Sequence, residues 1–112
     1  MGTTPRPIAA TNERLQVSHG EHGEVIFAGE IDLATSRILR RALETAPVAE
    51  EALVVDLCDV LYLHSAGVAV LYDHAERGMR VRVRPNTAVA SVIRICGLSH
   101  IVTVELVPTV AN

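Results

Sequence analysis

Ala52-Leu53-Val54-Val55-Asp56-Leu57, followed by Asp59-Val60-Leu61-Tyr62-Leu63 and then His64-Ser65-Ala66-Gly67-Val68, is the stretch on which the fold turns. The first six residues form a short, nearly continuous and β-branched apolar run, the pattern of a strand buried on both faces and central in its sheet. Asp59 to Leu63 reads as the lead into His64-Ser65-Ala66-Gly67. Beyond it Val68, Leu71, Tyr72 and Ala75 return at helical spacing and predict a helix that ends near Gly78. A strand followed at once by a helix is the opening of a crossover, and it sets the class as α/β.

Downstream, Arg80-Val81-Arg82-Val83-Arg84 alternates strictly and predicts a half-exposed strand stopped by Pro85. The Arg stripe on its outer face reads as a solvated surface that discourages edge pairing. Asn86 or Thr87 can cap a third helix with Val89, Val92, Ile93 and Cys96 inward and Gly97 as its left-handed terminator. Ile101 to Val107 supplies a last strand.

Upstream, Leu15 to His19 alternates, Gly20-Glu21-His22-Gly23 makes a hairpin turn, and Glu24 to Gly29 forms a second strand. Ile38, Leu39, Ala42, Leu43 and Ala46 then mark a first helix, which starts near residues 34 to 36 and cannot pass Pro47. The predicted order is β-β-α-β-α-β-α-β, a mixed sheet begun by a hairpin with helices packed on it by right-handed crossovers. Residues 1–12 read as a flexible leader, 13–108 as one domain and 109–112 as a flexible tail.

The chain has 112 residues, enough for one hydrophobic core, with 49% hydrophobic residues but only 3% aromatics and no Trp. The core is therefore built from Val, Leu, Ile and Ala. Ten basic residues, all Arg, face 13 acidic ones for a net charge of −3, which argues against a nucleic-acid binder that works by neutralising phosphates. No apolar run approaches the roughly 18 residues of a membrane span and Met1 to Asn12 does not resemble a signal peptide, so a cytoplasmic protein without membrane insertion is expected. Cys58 and Cys96 belong to no CxxC, and His19, His22, His74 and His100 are scattered. Neither a zinc site nor a disulfide framework is expected, and no cofactor.

In α/β sheets function gathers at the carboxyl ends of the strands, and in the stretch from Leu57 through Gly67 the one serine or threonine hydroxyl open to modification is that of Ser65. A helix N-terminus tolerates a phosphate on such a serine. On position alone Ser65 also reads as an N-cap, a role for which Ser is favoured. His64 reads as an exposed loop polar, or as a group sensitive to pH. Gly67 permits a close backbone approach, and Cys58 stands near this loop as a candidate for redox sensitivity. Gly-x-Ser-x-Gly, a Walker loop and a dinucleotide fingerprint are all missing, so the chain reads as a substrate of enzymes rather than an enzyme.

Gly29-Glu30-Ile31-Asp32-Leu33-Ala34-Thr35, Leu53 to Leu57, Leu63-His64-Ser65-Ala66-Gly67-Val68 and Ile95-Cys96-Gly97-Leu98 together resemble the successive signature segments of STAS domains of the anti-sigma factor antagonist family. The resemblance covers about residues 15 to 107. It implies a single STAS-type α/β domain and a phosphorylation-switched interaction module that binds a kinase-type anti-sigma factor and so releases a sigma factor. The partners it implies are a serine kinase of GHKL type, which would modify Ser65, and a PP2C-type phosphatase, which would restore it. Asp32, His64, Ser65, Ala66 and Gly67 fall on the implied partner-binding positions. His64 stands where the family most often has Asp, and Ala66 replaces a second hydroxyl residue. The C-terminal helix common in the family is expected to be absent or to lie outside this stretch of sequence. The alternative within the fold is a constitutive STAS interaction subunit, for example of an ABC lipid transporter, that works without phosphorylation.

Overall fold

A computed structural model describes residues 14–47 and 52–109. The expected leader at 1–12, and all of the expected tail except Thr109, lie outside the described residues. Strands β1 (Leu15–His19) and β2 (Val25–Ile31) form the hairpin, followed by helix α1 (Ser36–Thr45) and strand β3 (Leu53–Leu63). Helix α2 (Ser65–His74) runs on into a 3₁₀ turn, Ala75–Arg77, before strand β4 (Met79–Val83). Helix α3 (Ala88–Ile95) and a second 3₁₀ turn, Leu98–His100, lead to strand β5 (Thr103–Leu106).

Local chemistry sets the boundaries. Ala46, caught before Pro47, turns to an extended conformation at φ −63°, ψ 139°, so α1 stops at Thr45. Thr87 caps α3 by accepting from the Ala90 amide at 3.2 Å, and Gly97 at φ +81° terminates that region in the left-handed conformation.

The sheet order is β1-β2-β3-β4-β5, with β1 antiparallel to β2 and every other neighbour parallel. Each crossover moves one strand in the same direction, and right-handed connections of that kind place α1, α2 and α3 on one face. Burial follows that geometry. Val17, Val25, Phe27, Val55, Leu57, Val81 and Val83 point under the helices and are buried, while Ser18, Ile26, Val54, Asp56 and Arg82 on the other face keep contact with solvent. The strand β3 is central, as its sequence predicts, but it is buried on one face and not on both.

On the open face Ser18, Ile26, Asp56, Arg82 and Glu105 lie in register across all five strands. Arg82 pairs there with Glu24 at 3.4 Å and Glu105 at 3.6 Å, which accounts for a charged residue in the middle of a sheet. Among the described residues no helix is long and apolar enough to cross a membrane.

A second departure from the sequence reading decides the site. Asp59 to Leu63 continues β3 instead of leading out of it, so the strand runs to eleven residues. Against β2 its register slips twice, from Ile26↔Asp56 to Ala28↔Asp59 and from Gly29↔Val60 to Glu30↔Tyr62. Each slip is a β-bulge that adds one residue to β3 and re-aims its side chains. The buried positions accordingly change from Leu53, Val55 and Leu57 to Val60 and Leu63, a step of two followed by a step of three. Leu61 and Tyr62, between the last two, are turned out to solvent at 78% and 47% exposure.

Candidate functional site

Where β3 ends, the His64 amide donates to the Ile31 carbonyl at 2.8 Å, which extends the β2/β3 ladder by one bond and brings the carboxyl ends of both strands together. His64 holds an extended backbone at φ −80°, ψ 157°, and its side chain turns back over α2. Its Nδ1 accepts from the Ala66 amide at 2.9 Å, satisfying one of the amides that a helix start leaves without an internal partner. His64, not Ser65, is therefore the N-cap. An amide can only donate, so Nδ1 carries the lone pair and the ring proton sits on Nε2. Ser65 occupies the first helical position with its hydroxyl exposed, and Oγ lies 3.4 Å from the same Nδ1. The Tyr62 ring lies 6.5 Å from the imidazole, centroid to centroid.

Gly67 is buried, and its close approach is made within the chain. A Cβ there would meet Ile31 Cγ2 at 2.5 Å and Leu63 Cδ1 at 2.9 Å, so glycine is what lets the first turn of α2 settle onto β2 and β3. Ala66 is half-buried beside it.

Asp32 follows β2 directly and forms a reciprocal cap with Thr35. Its amide donates to Thr35 Oγ1 at 2.8 Å, and its Oδ1 accepts from the Thr35 amide at 2.8 Å. The Thr35 hydroxyl also donates to the Glu30 carbonyl at 2.8 Å, and that side chain is buried. Arg14 forms an ion pair with the other carboxylate oxygen. The Thr35 amide above all, then the Thr35 hydroxyl and Arg14, hold the Asp32 carboxyl below its ordinary range against the opposing effect of desolvation. Asp32 thus shares the sheet edge with His64 and Ser65, while its oxygens are already engaged in shaping the entry to α1.

Three side chains that the sequence reading did not single out belong to this edge. Leu33 follows Asp32 with 72% exposure, and Leu61 and Tyr62 stand on the bulged end of β3. Scattered exposed apolar residues are ordinary, but these three make an apolar rim at the end of the sheet where α2 begins. The available signal was the spacing Leu57, Val60, Leu63, which no regular strand produces.

The other candidates separate from this edge. Cys58 lies inside β3, and burial first, with Asp56 beside it second, pushes its thiol up to about 11, the opposite of what a redox sensor needs. Cys96 ends α3 and packs against the core, and both cysteines are free. Arg82 is paired as described, Arg84 donates to the carbonyls of Val107 and Pro108, and Arg80 is exposed. Among the described residues no group of three or more His, Cys, Asp or Glu side chains could hold a metal ion. A groove lined by Val83, Ile93, Val104 and Leu106 opens between α3 and β5, and Ser65 is not among its lining residues.

A family model described as "Mlab, STAS domain" matches residues 15–108 of the chain. No curated protein shows a significant match to it.

Proposed function

The chain belongs to the STAS domain family, and from that premise we propose that it is an anti-sigma factor antagonist switched by phosphorylation of Ser65. The observation that carries the reading is the exposed Ser65 hydroxyl at the first position of α2, on the same sheet edge as the apolar side chains of Leu33, Leu61 and Tyr62. With a free hydroxyl the edge docks on a kinase-type anti-sigma factor of GHKL class in the cytoplasm and displaces the sigma factor. That same partner transfers a phosphoryl group to Ser65, and a PP2C-type phosphatase removes it. The protein is in this scheme a substrate and an interaction module, without chemistry of its own.

A phosphate adds about −1.5 to −2 charges. In the free protein the positive end of the α2 dipole and surrounding water accommodate it. Docking would remove that water, and a buried, unpaired charge costs several kcal/mol, a hundredfold or greater loss of affinity at about 1.4 kcal/mol per decade. Calorimetry with one anti-sigma factor tests this. Ser65→Ala should bind like the wild type and gain no phosphate by intact mass, while Ser65→Glu should fold normally and bind at least about tenfold more weakly. Equal affinity of the wild type and Ser65→Glu would remove Ser65 as the switch.

One observation favours the second reading, a constitutive STAS interaction subunit such as that of an ABC lipid transporter. Each residue from His64 to Gly67 has a structural occupation: His64 caps α2, Ser65 and Ala66 form its first turn, and Gly67 packs on Ile31 and Leu63. In that case Ser65 is only a contact, and neither substitution changes affinity tenfold.

A further inference from the structure

The imidazole of His64 presents one lone pair to two donors. Nδ1 accepts from the Ala66 amide at 2.9 Å and lies 3.4 Å from Ser65 Oγ. The first contact fixes the ring, since the amide belongs to a helix packed on the sheet through Gly67. The second places a neutral acceptor next to the hydroxyl. Building on the phosphorylation reading above, we infer that His64 is the positioning residue for Ser65: the capped imidazole receives the hydroxyl's hydrogen and holds the remaining Oγ lone pairs toward solvent, where a phosphoryl donor arrives.

ATP is the phosphoryl donor. The bond from Ser65 Oγ to the γ-phosphorus forms as the bond from that phosphorus to the β,γ-bridging oxygen breaks, and ADP leaves with the electron pair. The hydroxyl proton passes to Nδ1 and from there to water. In taking it, Nδ1 gives up the Ala66 amide, so the cap and the proton are alternatives at one atom.

The groups that bear on this imidazole are few. Tyr62 precedes it on β3, Glu30 at the end of β2 and Asp32 just beyond it both pair with Arg14 just before β1, and the first turn of α2 contains no acidic residue. The exposed Asp59 lies further back on β3.

Two measurements test the inference. Long-range ¹⁵N–¹H NMR of the free protein reads the tautomer of His64, and the expected state has the proton on Nε2 and Nδ1 unprotonated. The kinase-type anti-sigma factor used in the calorimetry, with ATP, then phosphorylates wild type and His64→Asn at neutral pH. Asn is a favoured N-cap, so this variant keeps α2 capped but lacks the basic nitrogen. Its rate should be about tenfold lower, since the variant keeps the cap and loses only the basic nitrogen. A proton found on Nδ1, or equal rates for wild type and His64→Asn, would overturn the inference and leave Ser65 phosphorylation standing. A wild type that the kinase binds and never modifies would overturn the phosphorylation reading, and the inference with it.

Discussion

Gly67 and Ile31 meet so closely across the gap between α2 and β2 that a Cβ on residue 67 would stand 2.5 Å from Ile31 Cγ2. The Ile31 side chain is fully buried and its branch is anchored at Cβ, so it has no free direction in which to yield. Gly67→Ala sets an overpacking cost of about 1–3 kcal/mol against at most about 1 kcal/mol of gained helix propensity. The variant should be less stable by about 1 kcal/mol, read as a lower urea midpoint at unchanged slope. A midpoint equal to or above the wild type would show that the first turn of α2 has room to move.

Asp32 predicts a specific acid sensitivity. Its folded-state pKa is lowered from the ordinary 3.8, first by the Thr35 amide. The carboxylate therefore contributes its full stabilisation above that ordinary value and loses it as the pH falls through the lower folded value. Asp32→Asn should be less stable than the wild type at neutral pH, with the gap closing between about pH 4 and pH 2. Urea midpoints of the two proteins over that range would show the convergence, and parallel curves would assign the cap to other groups.

Cys58 should be slow to react. A thiol pushed from 9.0 to about 11 holds roughly a hundredfold less thiolate near neutral pH, and the thiolate is the nucleophile. Alkylation with iodoacetamide at pH 8 should lag that of a free cysteine by about that factor and speed up in Asp56→Asn, because Asp56 is the second cause of the shift. Mild oxidation should give no Cys58–Cys96 bridge, which intact mass would reveal as a loss of two hydrogen atoms from the monomer.

The apolar rim separates binding from stability. Leu61 is 78% exposed, so Leu61→Ser should change stability by no more than about 0.5 kcal/mol. If the rim docks a partner, the same substitution should weaken binding about tenfold, since buried apolar anchors dominate such interfaces. Thermal melting alongside calorimetry would separate the two effects.

The order and type of the elements were legible because each leaves a local mark: the alternation of Arg80 to Arg84, the helical stripe from Ile38 to Ala46, Pro47 and Pro85 as stops, Thr87 and Gly97 at the ends of α3. Ser65 could be found as an exposed hydroxyl at a helix start for the same reason. Three things were not legible. The bulges leave only the uneven spacing Leu57, Val60, Leu63, which fits a loop as well as a strand, so the true length of β3 and the outward turn of Leu61 and Tyr62 were hidden behind what reads as a loop. His64 was missed as a cap because histidine is not among the residues favoured there, while the adjacent serine is. The open sheet face depends on all three crossovers advancing in one direction, a global property that the Leu53 to Leu57 run does not record.

The doubled bulge in β3 has a consequence for how such a module diversifies. In a regular strand each outward residue alternates with a core residue under a fixed frame, so an insertion or deletion scrambles both. Here Val60 and Leu63 hold the frame, and the residues between them contribute nothing to the interior. Letters 61 and 62 can be rewritten without renegotiating the core, so descendants of one scaffold can drift apart in whom they recognise while remaining interchangeable as folded objects.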